Sequence, residues 1–130
     1  MKYTRVYINS LAYELAPEVV TSSALESRLA PLYQKYRIPM GQLAALTGIE
    51  ERRWWPKGHM LSDGALTAAE KAINETGISV GDLGAVIYTG VCRDQHEPAT
   101  ACRIAAKLGV STDTAIYDIS NACLGALSGI

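Results

Sequence analysis

At 130 residues, 48% hydrophobic and 19% charged, the chain has the length of one globular domain and enough apolar side chains to bury a core. Twelve basic against thirteen acidic residues leave a formal net charge of −1, which offers no electrostatic footprint for nucleic acid or an anionic membrane. No apolar run approaches the roughly 20 residues that span a bilayer, no signal-peptide core follows the first residues, and three widely spaced cysteines without C-x-x-C point to reduced thiols, so a soluble cytoplasmic protein is expected.

In chain order, Tyr3 to Ile8 carries Val6, Tyr7 and Ile8 and reads as a first strand, and Leu11 to Pro17 reads as a loop. Ser23-Ala24-Leu25-Glu26 has the form of a capping box, a hydroxyl for the third helical N–H and a carboxylate reaching back. Leu25, Leu29, Leu32, Tyr33 and Tyr36 then recur at helical spacing, and Pro31 must kink that helix or split it in two. A short helix around Gly41 to Leu46 ends at Gly48. The less regular stretch Ile49 to Gly58 sets Trp54 and Trp55 beside Arg52 and Arg53, the composition of a packed hinge or of a binding lip.

Ser62 and Asp63 read as caps of a clearer helix, with Leu66, Ala69 and Ile73 as its apolar stripe and Gly77 at its end. Ala85 to Thr89 is a continuous apolar run, the pattern of a strand buried on both faces. Val91 to Glu97 is a polar loop. Pro98 then stands where first-turn prolines are favoured; Ala101, Ile104, Ala105 and Leu108 make a stripe, and Gly109 closes the helix before a strand at Ala115 to Ile119. Strand, helix and strand at this spacing form a βαβ unit, expected parallel and right-handed. The whole order, β-α-α-α-β-α-β-α, predicts an α/β fold with a mostly parallel sheet and no linker, repeat or low-complexity tract.

After that strand, Ser120 and Asn121 are turn and N-cap residues, which puts Cys123 in the first turn of a following helix. A thiol among unpaired backbone N–H groups there favours thiolate, and those amides can bind an oxyanion, so Cys123 is a candidate acyl-accepting nucleophile. The competing reading is an ordinary buried small hydrophobe. Ala122, Leu124, Gly125, Ala126, Leu127, Gly129 and Ile130 give this helix no polar face beyond Ser128, so it is expected to be buried on every side, and Gly125 with Gly129 signals close packing. Cys92 at a strand end and Cys102 within a helix read as structural. His59, His96 and the cysteines lack zinc spacing, and no G-x-G-x-x-G or Walker sequence occurs, so no metal or other cofactor is expected. Arg93-Asp94-Gln95-His96-Glu97-Pro98 is either a solvated turn with Glu97 set against a helix dipole or the source of an active-site carboxylate. Ile130 arrives a turn or two into the apolar helix, so residues 1–130 read as one domain truncated at its C-terminal end, to be completed in cis or by another chain.

Asp118-Ile119-Ser120-Asn121-Ala122-Cys123-Leu124-Gly125 resembles the nucleophile segment of thiolase-fold condensing enzymes, specifically the β-ketoacyl-acyl-carrier-protein synthase III group. Thr47-Gly48-Ile49-Glu50-Glu51-Arg52 resembles that group's T-G-I-x-x-R, Glu97-Pro98-Ala99-Thr100-Ala101 resembles the stretch before the helix that precedes the cysteine strand, and the three keep the family's order across the chain. The resemblance implies the N-terminal part of a thiolase-like fold, with a buried central helix that carries the nucleophile. With Cys92-Arg93-Asp94 included, the chain is most similar to the OleA-type branch, which condenses two long fatty acyl-CoA molecules head to head. That similarity implies acylation of Cys123 by an acyl-CoA or acyl-carrier-protein thioester, a Claisen condensation with a second thioester in fatty acid or long-chain olefin or ketone biosynthesis, and a homodimer in which Glu97 crosses to serve as base in the partner's site. Ordinary members of the group would use malonyl-carrier protein, with decarboxylation supplying the carbanion. They carry a Trp shortly before T-G-I and an Arg just before its Thr to hold the CoA nucleotide. Here those places are Gln42 and Leu46, so the nucleotide contacts do not carry over, and either Trp54 or Trp55 is open as a substitute; the candidate binding residues are Asn121, Arg52 and Trp54. The family's His and Asn partners lie in its second half, and neither His59 nor His96 matches them. The alternative within the same fold is a non-catalytic acyl-binding or chain-length partner subunit, and outside it a small redox-sensing or hydrolytic cysteine protein.

Overall fold

The structure is a computed structural model that describes residues 4–130. The chain divides into two compact units, one of Leu15–His59 and one of Met60–Ile130 together with the segment that ends at Glu14.

In Leu15–His59, β1 (Glu18–Thr21) and β2 (Glu51–Trp54) pair antiparallel, Glu18 opposite Trp54 and Thr21 opposite Glu51. The stretch read as a hinge or lip therefore holds a strand. Glu51-Arg52-Arg53-Trp54 has no apolar alternation to announce one, and a partner distant in sequence decides its conformation. Pro31 splits the following helical run into α1 (Ser22–Arg28) and α2 (Ala30–Tyr36), because in the first turn of α2 its missing N–H costs no hydrogen bond. The expected capping box does not form. Thr21 caps α1, its Oγ1 accepting from Ala24 N at 3.1 Å. Glu26 does not reach back; only 2% exposed, its carboxylate accepts from Gly41 N and Leu43 N at 2.7 Å each and so holds the start of α3 (Gln42–Thr47). The Leu43 N–H pulls the Glu26 carboxyl below its ordinary value against the opposing effect of burial, with Gly41 N–H and the Tyr33 hydroxyl adding to the pull. Gly48, at φ +69°, ends α3 as the sequence anticipates.

In the other unit, residues 4–8 form no strand, since no strand among the described residues pairs with them, and Tyr3 lies outside those residues. Leu11 to Glu14 here, like Leu15 to Pro17 of the first unit, is irregular, as expected. α4 (Leu61–Thr76) begins before Ser62, so Ser62 and Asp63 lie inside its first turn rather than capping it. The cap comes from Asp94, whose carboxylate accepts from Leu61 N at 2.6 Å and Ser62 N at 3.2 Å. β3 (Ala85–Tyr88) and β4 (Ala115–Asp118) pair in parallel, from Ala85 opposite Ala115 to Tyr88 opposite Asp118, and α5 (Thr100–Leu108) joins them. This is the expected βαβ unit. The stripe of α5 buries Ala101, Ile104 and Ala105, and α5 packs on both strands and on α4. Lys107 at 2.5 Å and Arg103 at 3.2 Å bind Asp63 and clamp the two helices; these contacts, the Lys107 hydrogen bond foremost, hold the Asp63 carboxyl below its ordinary value despite its partial burial. β3 is not buried on both faces: Val86 and Tyr88 are half-buried, whereas Ala85 and Ile87 are exposed. Among the described residues one face of the parallel sheet is covered, and no helix is long and apolar enough to cross a membrane.

Pro98 does not occupy the first turn of α5. It precedes the flanking Ala99, after a cis Glu97–Pro98 peptide, and the helix opens at Thr100. The last helix, α6 (Gly125–Gly129), is five residues long and buries Gly125, while Leu124, Leu127 and Ile130 are 55%, 72% and 84% exposed. The expected enclosure of this helix is therefore absent among the described residues, in which Ile87 of β3 and Thr89 just after it stand against Gly125 and Gly129.

Candidate active site

Because β3 and β4 are parallel and in register, the loop after Tyr88 and the turn after Asp118 leave from the same edge of the sheet. Ile119 N donates to Tyr88 O at 2.8 Å, carrying the ladder one step past β4. The carboxyl ends of parallel strands are where open α/β sheets place their chemistry. From this edge come Cys92, Arg93, Asp94, His96 and Glu97 on one side and Ser120, Asn121, Ala122 and Cys123 on the other. A polar cleft of about 460 Å³ lies between the first loop and Ser120, lined by Val91, Arg93, Asp94, Gln95, His96 and Ser120. Glu97 and Cys123 flank it in sequence without lining it.

Cys123 is exposed in a 3₁₀ turn, Ala122–Leu124, rather than in the first turn of an α-helix. Leu124 N donates to Asn121 O at 2.8 Å, and Ala122 takes φ +42°, a left-handed conformation uncommon for a residue with a Cβ. Asn121 belongs to the turn as expected, but its side chain does not cap it; Nδ2 donates to Ser128 Oγ at 2.8 Å. The turn is pressed on the end of β3: a Cβ on Gly125 would stand 2.9 Å from Thr89 O, and one on Gly129 2.5 Å from Thr89 Cγ2. The two glycines thus do serve close packing, against a strand end.

Glu97 is exposed, with no hydrogen-bond or ion-pair partner among the described residues. The loop that carries it is held on either side. Tyr88 Oη donates to Cys92 O at 2.8 Å, and burial, with the nearby Asp94 charge, pushes its phenol up. Burial would raise the Asp94 carboxyl as well, but the hydrogen bonds from Ser62 and Leu61 outweigh it and leave the group below its ordinary value. Arg93 Nε lies 3.7 Å from Asp118 Oδ2. Asp118 in turn accepts from Thr100 N at 2.8 Å through Oδ2 and from Ala101 N at 2.9 Å through Oδ1. The sequence places Asp94 only in a stretch that could supply a carboxylate and assigns Asp118 no role, although an acid closing an apolar strand such as Ala115-Ile116-Tyr117-Asp118 signals that its carboxylate must find donors.

Arg52 and Trp54 belong to the Leu15–His59 unit. Arg52 Nη2 donates to Ser22 Oγ at 2.9 Å, tying β2 to α1, while Nη1 is buried with no partner among the described residues. Arg28 lies over the Trp54 ring at 5.6 Å, and Trp55 stacks on His59 with centroids 3.9 Å apart. The T-G-I motif is a helix stop: Thr47 Oγ1 donates to Leu43 O at 2.5 Å and accepts from Ile49 N at 3.2 Å around the left-handed Gly48. Among the described residues no three His, Cys, Asp or Glu side chains cluster to hold a metal.

No protein-family model matches the chain. It is 85% identical over all 130 residues to an acyl-CoA:acyl-CoA alkyltransferase of Shewanella oneidensis and 37% identical over 130 residues to one of Xanthomonas campestris, spanning 37% and 38% of their lengths. A β-ketoacyl-[acyl-carrier-protein] synthase III of Natranaerobius thermophilus is 38% identical over 88 residues, 68% of this chain and 26% of that protein. Among solved structures, cerulenin-bound OleA of Xanthomonas campestris superposes with a TM-score of 0.89 at 38% identity, over 94% of this chain and 36% of that one. The 3-oxoacyl-(acyl carrier protein) synthase III of Xanthomonas oryzae gives 0.89 at 37% identity, again over 94% and 36%. By sequence over its whole length the chain is a homologue of the acyl-CoA:acyl-CoA alkyltransferases, of which it spans 37% and 38%, and over 68% of its residues a homologue of the β-ketoacyl synthase III proteins; over 94% of its length it shares the thiolase-like fold of the OleA and synthase III structures.

Proposed function

We propose that the polypeptide to which this chain belongs is a condensing acyltransferase of the OleA type, with Cys123 as nucleophile and Glu97 as base. The observation that carries this reading is the 85% identity, over every residue of the chain, to an acyl-CoA:acyl-CoA alkyltransferase. The exposed Cys123 on a turn at the carboxyl edge of a parallel sheet supports it. The Cys123 sulfur attacks an acyl-CoA carbonyl, the C–S bond to CoA breaks, and the thiol proton leaves with the departing CoA thiolate. Glu97 of the partner subunit in a homodimer takes the α-proton of a second acyl-CoA. The resulting carbanion attacks the acyl carbon on Cys123, a C–C bond forms, and the Cys123 thiolate departs and recovers the proton, leaving a β-ketoacyl thioester. CoA is chosen over carrier protein because the two relatives matched along the whole chain are both named for acyl-CoA.

Incubation of the full-length protein with an acyl-CoA, followed by peptide mass spectrometry, should find the acyl mass on the peptide containing Cys123 and lose it in Cys123→Ala. An acyl group at another residue, or equal labelling of the variant, overturns the reading.

A further inference from the structure

Asp118 joins three segments through one carboxylate. Its side chain is 6% exposed, its two oxygens accept from Thr100 N and Ala101 N, and Arg93 Nε stands 3.7 Å away. It therefore links the strand that leads into the Cys123 turn, the first turn of the helix that follows Glu97, and the loop that leaves β3. The next residue of that loop, Asp94, is bonded to Leu61 N and Ser62 N, so Arg93 and Asp94 pin the loop from opposite sides. With both oxygens engaged on adjacent N–H groups, Asp118 has one orientation that keeps all its bonds. Asparagine at that place would turn an amide N–H toward one backbone N–H, breaking a bond while keeping the volume.

We propose that Asp118 is a positioning residue for the condensation: it fixes where the Cys123 turn and the Glu97 segment leave the sheet. In a two-fold dimer each Asp118 then sets its own subunit's nucleophile and the base offered to the partner. This inference rests on the reading of Cys123 and Glu97 given above, and it assigns Asp118 no contact with substrate. A shift of about 1 Å in a reacting group can cost on the order of a hundredfold in rate.

The test compares Asp118→Asn with Glu26→Gln in the full-length protein, since Glu26 caps α3 with the same chemistry outside the site. Three quantities are read: melting temperature, the rate of Cys123 alkylation by iodoacetamide, and kcat and KM for acyl-CoA condensation. Asp118→Asn should change Cys123 alkylation by about threefold or more and lower kcat by about 10- to 100-fold, with KM within about threefold. Glu26→Gln should lower the melting temperature and leave alkylation and kcat unchanged. Asp118→Asn behaving as Glu26→Gln does, with stability lost and both rates intact, overturns the proposal. If Asp118→Asn fails to fold, Arg93→Gln should move alkylation and kcat in the same direction by a smaller factor, and no movement overturns it. A wild-type protein that never acylates Cys123 sinks the functional reading instead, and the alkylation comparison still decides whether Asp118 positions the turn.

Discussion

Glu26 and Asp118 do the same physical work in separate units of the molecule. Each is an almost buried carboxylate that accepts two backbone N–H groups at the start of a helix: Gly41 and Leu43 for α3, Thr100 and Ala101 for α5. Asp94 does so for α4. None of these helices is capped from its own first residues, so each start is secured only once a distant segment has docked, which ties secondary structure to tertiary packing. The difference lies in what surrounds the carboxylate. Glu26 is enclosed by α1, α3 and the Tyr33 hydroxyl, with nothing reactive near it in sequence. Asp118 stands at the sheet edge that carries Cys123 and Glu97. One anchor stands apart from the proposed nucleophile and base, and its counterpart holds the turn and the loop that carry them.

The largest expected effect belongs to Glu26 and is read in acid. The Glu26 carboxyl lies below its ordinary value of 4.5 in the folded state, so its contribution is fully present above that pH and is lost as pH falls through the folded value. At pH 7 full-length Glu26→Gln should show a larger fall in melting temperature than Gly125→Ala, Gly109→Ala or Ala122→Gly, and its deficit against wild type should shrink as pH drops below about 4.5. A deficit independent of pH would mean that the buried carboxylate is not the anchor.

Next in size are two glycines that look alike in sequence. Gly125→Ala puts a Cβ 2.9 Å from Thr89 O on a helical backbone, so its cost is crowding, about 1–3 kcal/mol, and the displaced turn should slow acylation of Cys123. Gly109→Ala meets nothing within 4 Å, but φ is +70°, so its cost is conformational, about 1–2 kcal/mol, with acylation unchanged. Chemical denaturation and single-turnover acylation separate the two. Equal acylation rates would show that the Thr89 contact does not set the turn.

What was legible in the sequence was local or periodic. The α5 stripe of Ala101, Ile104 and Ala105 is buried as read, Gly48, Gly77 and Gly109 end their helices in the left-handed conformation, and Ala85 and Ala115 open paired parallel strands. What was missed depends on partners far along the chain. Ser23 and Ser62 look like caps, yet Thr21 and Asp94 do that work. Glu51-Arg52-Arg53-Trp54 becomes a strand only because β1 is there to pair with it, and Tyr3 to Ile8 reads as a strand whose described residues have no such neighbour. The segment around Cys123 was legible as a family resemblance, while its 3₁₀ turn and exposure were not, because helical propensity says nothing about which residues cover a helix.

The smallest effect tests strain in place of capping. Ala122 holds φ +42° immediately before Cys123, a conformation that costs a residue with a Cβ about 1–2 kcal/mol and costs glycine almost none. Ala122→Gly relieves that strain but loosens the unfolded chain, which costs about 0.4–1 kcal/mol. The melting temperature of the full-length variant should therefore stay level or rise slightly. If surrounding contacts such as Thr89 on Gly125 and Asn121 on Ser128 hold the turn, acylation of Cys123 should fall by only a few-fold. A loss as deep as that of Asp118→Asn would show that the Cβ of Ala122, and with it local strain, places the nucleophile more than the carboxylate anchor does.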